Sequence, residues 1–511
     1  IATLAANEGT AGVSGPRGDI GTINLRGLGA RASLILLNGR RFPVHPTASA
    51  GSPNTAAVNV NTLPTQGLAR VEVLRDGASS IYGSDAMSGV VNYITSSDTR
   101  GLEIKTRVSS PELRGGQSSE TSLTYGLDFA GGRGRFLTTN DYVWRKIIML
   151  KDRPYSAYAD HSDVAPPPFN VKASAFDGRS TTSFWPQFRV GTSTTTTYFR
   201  PVNGVPTFTT AAPSRTAADT GVTGRPGTEF FVSTNQYVSA WPGANRVNSF
   251  NSLEYELKSG TTAFGEVSFY RSTSAFQRVP INHNVPAADE PMVLPIDNPF
   301  NPYGSRFYSV TGAPNADGTP RLTGTPQTVS VQNQIVRDIP PDHSVVTSHQ
   351  YRILAGLRGK LSGSKFNIDW NKWTWESGAT FSRMGVKDQG MSQVRESLLQ
   401  AAYNRVASAN NGNLPGYNPF GYTFKVVGNA VVPDQPYTNP DVVGDSFTSN
   451  FWRAGRSFLW TVDARASGPI AKIWSGDISL AAGAEWRREW WTDMFAPYYG
   501  YLPAASGLDP T

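Results

Sequence analysis

The sequence predicts a mainly β protein in two parts, a small α/β unit followed by an antiparallel β-barrel that crosses a membrane on its strands. Three observations predict it. The composition is rich in turn-formers and rings, with 50 Gly, 36 Pro and 11% aromatic residues in 511. From residue 101 onward, segments of about ten residues alternate apolar and polar side chains, the period of a strand with two unlike faces. The connectors between these segments are by turns very short and very long.

The first part, residues 1–97, is built of short pieces. "SLILLNGRRF" offers an apolar strand, Leu34 to Leu37, closed by Asn38-Gly39, a strong hairpin signal, with Arg40 and Arg41 beyond it. "ARVEVL" sets Val71 and Val73 against Glu72 and Leu74. Asp76 is then placed to cap a helical turn through "GASSIYG", Gly83 to end it, and "GVVNYIT" to resume as strand.

The second part, residues 98–511, alternates repeatedly. Leu102, Ile104 and Val108 oppose Glu103, Lys105 and Arg107, and Leu123, Tyr125, Leu127 and Phe129 oppose Ser122, Thr124, Gly126 and Asp128. The same pattern runs through 252–258, 350–361, 458–465 and 478–487. Alternation alone fits a soluble sandwich as well as a barrel in lipid. Two features favour the barrel. Rings such as Phe129, Trp144, Trp373, Trp375, Trp460, Trp486 and Trp490 stand at segment ends, where a bilayer interface accepts them. Tight connectors ("GGRG", "KSG") exchange with long polar ones near 155–240, 280–345 and 390–450, as at the two rims of a membrane barrel.

Much chemistry is excluded. With no cysteine there is no disulfide, thiolate metal site or thiol nucleophile. The net charge of +7 is dispersed, which argues against nucleic acid. No G-x-S-x-G, H-E-x-x-H or phosphate-loop motif occurs, and "RGLGARAS" leads into a strand where a dinucleotide site needs a helix. The five histidines are scattered, so no metal or other cofactor is expected. "DNPFNPYGSRF" and "GYNPFGYTF" read chiefly as turns with packed rings, and Phe300, Tyr303, Phe420 and Tyr422 are the loop rings best placed to touch a ligand.

"INLRGLGARASLILLNGRRF" (23–42) followed by "VNTLPTQGLARVEVLRDGASSIYGSDAMSGVVNYIT" (60–95) closely resembles the plug domain of TonB-dependent outer-membrane receptors. The resemblance implies a barrel of 22 strands with the plug in its lumen, in the outer membrane of a Gram-negative-type bacterium. It implies energy-coupled uptake of a scarce solute, such as an iron chelate (siderophore), cobalamin or a saccharide, with an inner-membrane TonB complex and outer-membrane lipid as partners, and no catalysis. The alternative is a passive porin or adhesin-type barrel. Arg26 and Arg75 match positions where the family turns arginines toward wall carboxylates, with bonding to plug carbonyls the other reading; Glu376 and Glu485 are the wall partners expected. Strand arithmetic expects a fragment. Twenty-two strands of ~10 residues need ~220 residues, which the long connectors do not leave, and neither Ile1 nor the C-terminal "AASGLDPT" looks like a family terminus.

Overall fold

The computed structural model describes residues 3–4, 20–47, 57–161, 164, 166–167, 176–213, 230–257, 260–284, 292–365, 368–406, 414–473 and 476–497. Both termini, and the reading of them given above, lie outside the described residues.

The N-terminal unit is a four-stranded sheet with short helical turns. Its pieces in chain order are β1 (Ser33–Leu37), β2 (Arg40–Arg41), β3 (Leu68–Leu74), α1 (Ser79–Tyr82) and β4 (Gly89–Thr95), and the sheet order is β2-β1-β4-β3. β1 is buried throughout and apolar from Leu34 to Leu37 because both its faces are covered. Ile35 and Leu37 pack with Leu25, Phe42, Leu63 and Val91, while Leu34 and Leu36 pack with Ala78, Ala86 and Val90 on the other side. Asn38 and Gly39 take positive φ of 51° and 77°, the turn their dipeptide favours, and this hairpin sets Arg40 and Arg41 side by side. Asp76 does not cap α1. The helix starts after Ala78 without a side-chain cap, and the Asp76 carboxylate instead accepts from Arg26. Gly89 is required where β4 begins, since a Cβ there would strike the Leu74 carbonyl and a Leu25 methyl.

From residue 101 the chain builds a wall and a layer of folded loops at one end of it. The elements are β5 (Gly101–Ser109), β6 (Ser118–Phe129), β7 (Gly134–Arg145), β8 (Gln187–Val190), β9 (Thr197–Val202), β10 (Val205–Thr209), β11 (Gly243–Glu256), β12 (Thr262–Gln277), β13 (Val329–Ile335), β14 (His343–Lys360), β15 (Thr374–Val394), α2 (Glu396–Tyr403), β16 (Tyr422–Val427), β17 (Ala430–Pro436), β18 (Thr448–Ile473) and β19 (Gly476–Phe495). Nine of these form one antiparallel sheet in the order β19-β18-β15-β14-β12-β11-β7-β6-β5, whose edges β5 and β19 are not paired with each other. Several glycines in it lie beneath a ring from across the strand or turn, as with Phe129 on Gly134 and Trp373 on Gly468.

The wall is apolar outside and polar inside, the reverse of a soluble sandwich. Ser268, Ser272, Ser348, Gln350, Thr380, Ser382, Ser457 and Thr461 are buried on the inner face. Val267, Ile353, Val462, Leu480 and Trp486 are exposed on the outer one. The N-terminal unit lies against the inner face, and Phe250 of β11, fully buried, enters the cluster around Leu37 and Phe42.

The long connectors differ from the polar loops expected of them. β8, β9, β10 and β13 belong to a six-stranded sheet of their own. With α2, β16 and their flanks they enclose the largest apolar cluster among the described residues, which includes Trp185, Phe188, Phe199, Phe230, Leu399, Tyr417, Phe420 and Phe447. Local polarity hid this core because its rings stand singly or in pairs among Ser, Thr, Gly and Pro, and they converge only through contacts distant in sequence.

Candidate functional site

The charged contacts between the N-terminal unit and the wall begin at the Asn38-Gly39 turn. Arg40, 6% exposed, is held by two carboxylates of the inner wall. Its Nε and Nη2 donate to the two oxygens of Asp463 at 3.0 Å each, a bidentate pair, and Nη1 stands 2.8 Å from Glu376 Oε1. Its guanidinium also lies 5.2 Å over the Phe264 ring. Gly378 supplies the clearance, since a Cβ there would come 2.8 Å from Arg40 Nη2. Burial works against the charge on Arg40, but hydrogen bonds and attraction from Asp463 and Glu376 outweigh it and raise its pKa above the ordinary value.

Arg41 joins both sides at once. Its Nη1 meets Asp85 at 2.8 Å and Nη2 donates to the Tyr82 carbonyl, both within the N-terminal unit, while Nε lies 3.6 Å from Glu485 of β19. Arg487 of the same strand reaches Asp85 at 3.2 Å. Burial and the neighbouring Arg487 together lower the pKa of Arg41 from its ordinary value.

Hydrogen bonds continue around the inner face. Asn38 donates to Glu266 at 2.6 Å, and Glu266 is held from the other side by the fully buried Arg352 at 2.5 Å. Arg352 in turn lies 5.1 Å over the Phe42 ring. Asn248 donates to the Leu63 carbonyl at 2.7 Å, Thr65 to Asp141 at 2.9 Å, and Ser457 to the Val44 carbonyl at 2.6 Å. His45 is buried beside these contacts, and burial together with Arg453 pushes its pKa down to about 3, so its ring stays neutral. The interface thus reaches from β7 to β19, mostly through hydrogen bonds and ion pairs.

The residues singled out from sequence fall into three groups. Glu376 and Glu485 both face the N-terminal unit, but they meet Arg40 and Arg41. Arg26 reaches Asp76 at 3.0 Å, inside its own unit and well exposed, and Arg75 is exposed with no ion pair among the described residues. The wall carboxylates were legible from strand phase. Arg40 and Arg41 carried a signal too, in the tight turn just before them, but which end of the unit meets the wall is a tertiary matter.

The loop rings lie elsewhere. Phe420 is fully buried, 5.6 Å from Phe188 and 5.7 Å from Phe199. Tyr303 is 6.1 Å from Phe188, and Tyr422 is 6.1 Å from Trp185. Phe300 lies against Tyr437 at 4.8 Å. Each ring is occupied by another ring. Their Asn-Pro motifs do make turns: the Oδ1 atoms of Asn298, Asn301 and Asn418 accept from the backbone N–H two residues on, at 2.8 to 2.9 Å. No group of three His, Asp or Glu among the described residues is arranged to hold a metal ion.

Comparison with known proteins bears on the same region. Residues 3–90 match the TonB-dependent receptor plug domain. The chain is 32% identical over 116 residues to the iron-regulated outer membrane virulence protein of Vibrio cholerae, a match covering 21% of this chain and 17% of that protein. It is 30% identical over 137 residues to the vitamin B12 transporter BtuB of Photobacterium profundum, covering 27% of this chain and 19% of that protein. Among solved structures, similarity extends over 96% of this chain and 53% of the unliganded ferric citrate transporter FecA, at 12% identity and a TM-score of 0.35. For the ferripyoverdine receptor of Pseudomonas aeruginosa the values are 93% and 47%, 11% identity and 0.32. The chain therefore spans about half the length of these solved structures, and its matches to the curated relatives span less than a fifth of theirs.

Proposed function

For a chain that belongs to the TonB-dependent receptors of the outer membrane, we propose energy-coupled uptake of a scarce solute, with residues 1–97 as a plug and residues 98–511 as part of the enclosing barrel. The observation that carries this reading is the fastening of the N-terminal unit to the inner wall by the Arg40 and Arg41 pairs and by hydrogen bonds, with one apolar seam at Phe250. Contacts of that kind hold a body in place, yet water can replace them when it is pulled. A purely apolar interface of the same extent would resist release. The puller would be an inner-membrane TonB complex, and no bond of the solute would be made or broken. The solute classes supported by the resemblance and by the names of the relatives are iron chelates and cobalamin, with saccharides a third class implied by the resemblance alone.

The test is ion conductance of the full-length protein in a planar bilayer. A plugged receptor stays closed at rest and opens when urea loosens the N-terminal unit. A steadily open pore before any urea would replace this reading by a passive porin. Growth of the source bacterium on each solute class, with the gene deleted or present, then assigns the cargo.

A further inference from the structure

Five arginines are buried among the described residues: Arg40, Arg179, Arg200, Arg352 and Arg453. Nε and Nη2 share one flank of a guanidinium and form the fork that fits two oxygens at once. Arg40 clamps Asp463 with that fork at 3.0 Å on both sides, Arg179 clamps Asp177 at 2.9 and 2.7 Å, and Arg453 clamps Asp493. Arg200 turns its Nη2 to the Ala211 carbonyl. Arg352 of β14 departs from this pattern. It is the most deeply buried of the five, at 0% exposure, and its Nη1 meets Glu266 at 2.5 Å. Yet neither its Nε nor its Nη2 has an acceptor among the described residues.

The neighbours of that fork share its need. In the cross-strand register Arg352 stands opposite Ser268 of β12 on one side and Ser382 of β15 on the other, and Thr380 shares the inner face of β15 with Ser382. Glu266 lies on the β12 side and holds Nη1, so the Nε and Nη2 flank is turned toward β15. There the hydroxyls of Ser382 and Thr380 are also buried without a hydrogen-bond partner among the described residues. Four groups that can donate are thus set on adjacent strands with no acceptor between them. Leu354, Met384 and Leu459, around them in the register, are apolar and buried. From the N-terminal unit Phe42 closes the site, with the Arg352 guanidinium 5.1 Å over its ring.

We propose that the Arg352 fork and the hydroxyls of Ser382 and Thr380 bind a small inorganic anion of the chloride class, sealed between the N-terminal unit and the wall. A buried N–H without an acceptor carries its full desolvation cost, and a charged one carries more. Glu266 cannot relieve it, because one of its oxygens receives Arg352 Nη1 and the other receives Asn38. A guanidinium has donors only, so the occupant is an acceptor, and an anion gains charge-assisted bonds from the fork that a neutral group does not. It is small, because Arg352 and Ser382 are closed off from solvent. Apolar neighbours favour a monatomic ion over a water, which must also place two protons of its own. Phe42 belongs to the N-terminal unit and Arg352 to the wall, so the anion fastens one to the other and is released when they part. The site requires only that the unit sits on the inner face, whether or not a TonB complex pulls it.

The test uses the full-length protein, with bromide as the electron-dense probe in place of chloride. Crystals grown in bromide should show anomalous scattering within hydrogen-bond reach of Arg352 Nε and Nη2. In solution, hydrogen exchange across residues 34–42 should be at least threefold slower in chloride or bromide than in gluconate, an anion too large for the site, at equal ionic strength. Arg352→Lys keeps a charge opposite Glu266 but has no fork, and should lose this difference. The double variant S382A/T380V removes only the two hydroxyls. It should raise the bromide concentration needed for protection at least tenfold, with heat-dependent gel migration unchanged, and it carries the test if Arg352→Lys does not fold. An ordered water with no anomalous signal, equal exchange in chloride and gluconate, or a chloride effect undiminished in the folded variants would each overturn the site. A pore open at rest in the bilayer experiment bears on uptake alone.

Discussion

Arg40 shows at the residue scale how the N-terminal unit is held to the wall. A cation buried to 6% exposure with one carboxylate would be an all-or-none clamp; here Asp463 takes two hydrogen bonds and Glu376 is shared with Arg465 at 2.9 Å. Removing Arg40 therefore leaves Glu376 with a partner and Asp463 without one. Both carboxylates are partly wetted, so the cost of Arg40→Ala should fall between an exposed pair, about 0 to 1 kcal/mol, and a ruptured buried one, about 3 to 5 kcal/mol. It should appear as faster hydrogen exchange in β1 and β4, with the melting of the wall unchanged. Asp463→Ala should do the same, and the double variant should be little worse than either single one, because both remove one interaction. Additive effects would show that Arg40 is held by something other than this pair.

At the scale of the element, the wall strands are set by alternation read inside out. β14 buries Ser348, Gln350 and Arg352 and exposes Tyr351 and Ile353, and its neighbours β12 and β15 follow the same phase through their register. Ile353 lies near the middle of this 18-residue strand, 53% exposed. Ile353→Arg should cost about 2 to 4 kcal/mol of unfolding free energy in lipid vesicles, the usual charge for a cation near a bilayer midplane. Urea titration of the folded protein in vesicles measures it, and a cost near zero would mean that this face does not meet lipid. The same alternation is present in β6 and β18, so the outward phase was readable strand by strand. The loop strands β8 to β10 are too short for a period to stand out, and they escaped notice for that reason.

For the whole molecule, the described residues form two kinds of core: small apolar clusters in the N-terminal unit and in the wall, one of which joins the two at Phe250, and a large aromatic cluster in the loop layer. Phe199 sits at the centre of the second, fully buried, with Trp185, Phe208, Phe420, Tyr422 and Phe424 all within 5.8 Å between ring centroids. Phe199→Ala should cost about 3 to 5 kcal/mol, and calorimetry of the full-length protein should show an early transition from the loop layer with the wall transition in place. A single transition shifted as a whole would mean that the loop layer and the wall fold as one cooperative body.

The sequence by itself determined what is local or periodic: the Asn38-Gly39 turn, the continuous burial of β1, the phase of the wall strands, and with it the inward facing of Glu376 and Glu485. Each follows from backbone preference or from a repeat of two, which neighbouring residues carry between them. The tertiary structure decided which partners meet across hundreds of residues. It brought Arg40 to Asp463 where Arg26 and Arg75 had been expected, gathered the scattered rings of three connectors into one core, and set Arg352 beside Ser382 of the next strand. The physical reason is that such pairings depend on strand order and register, which no short window of sequence contains.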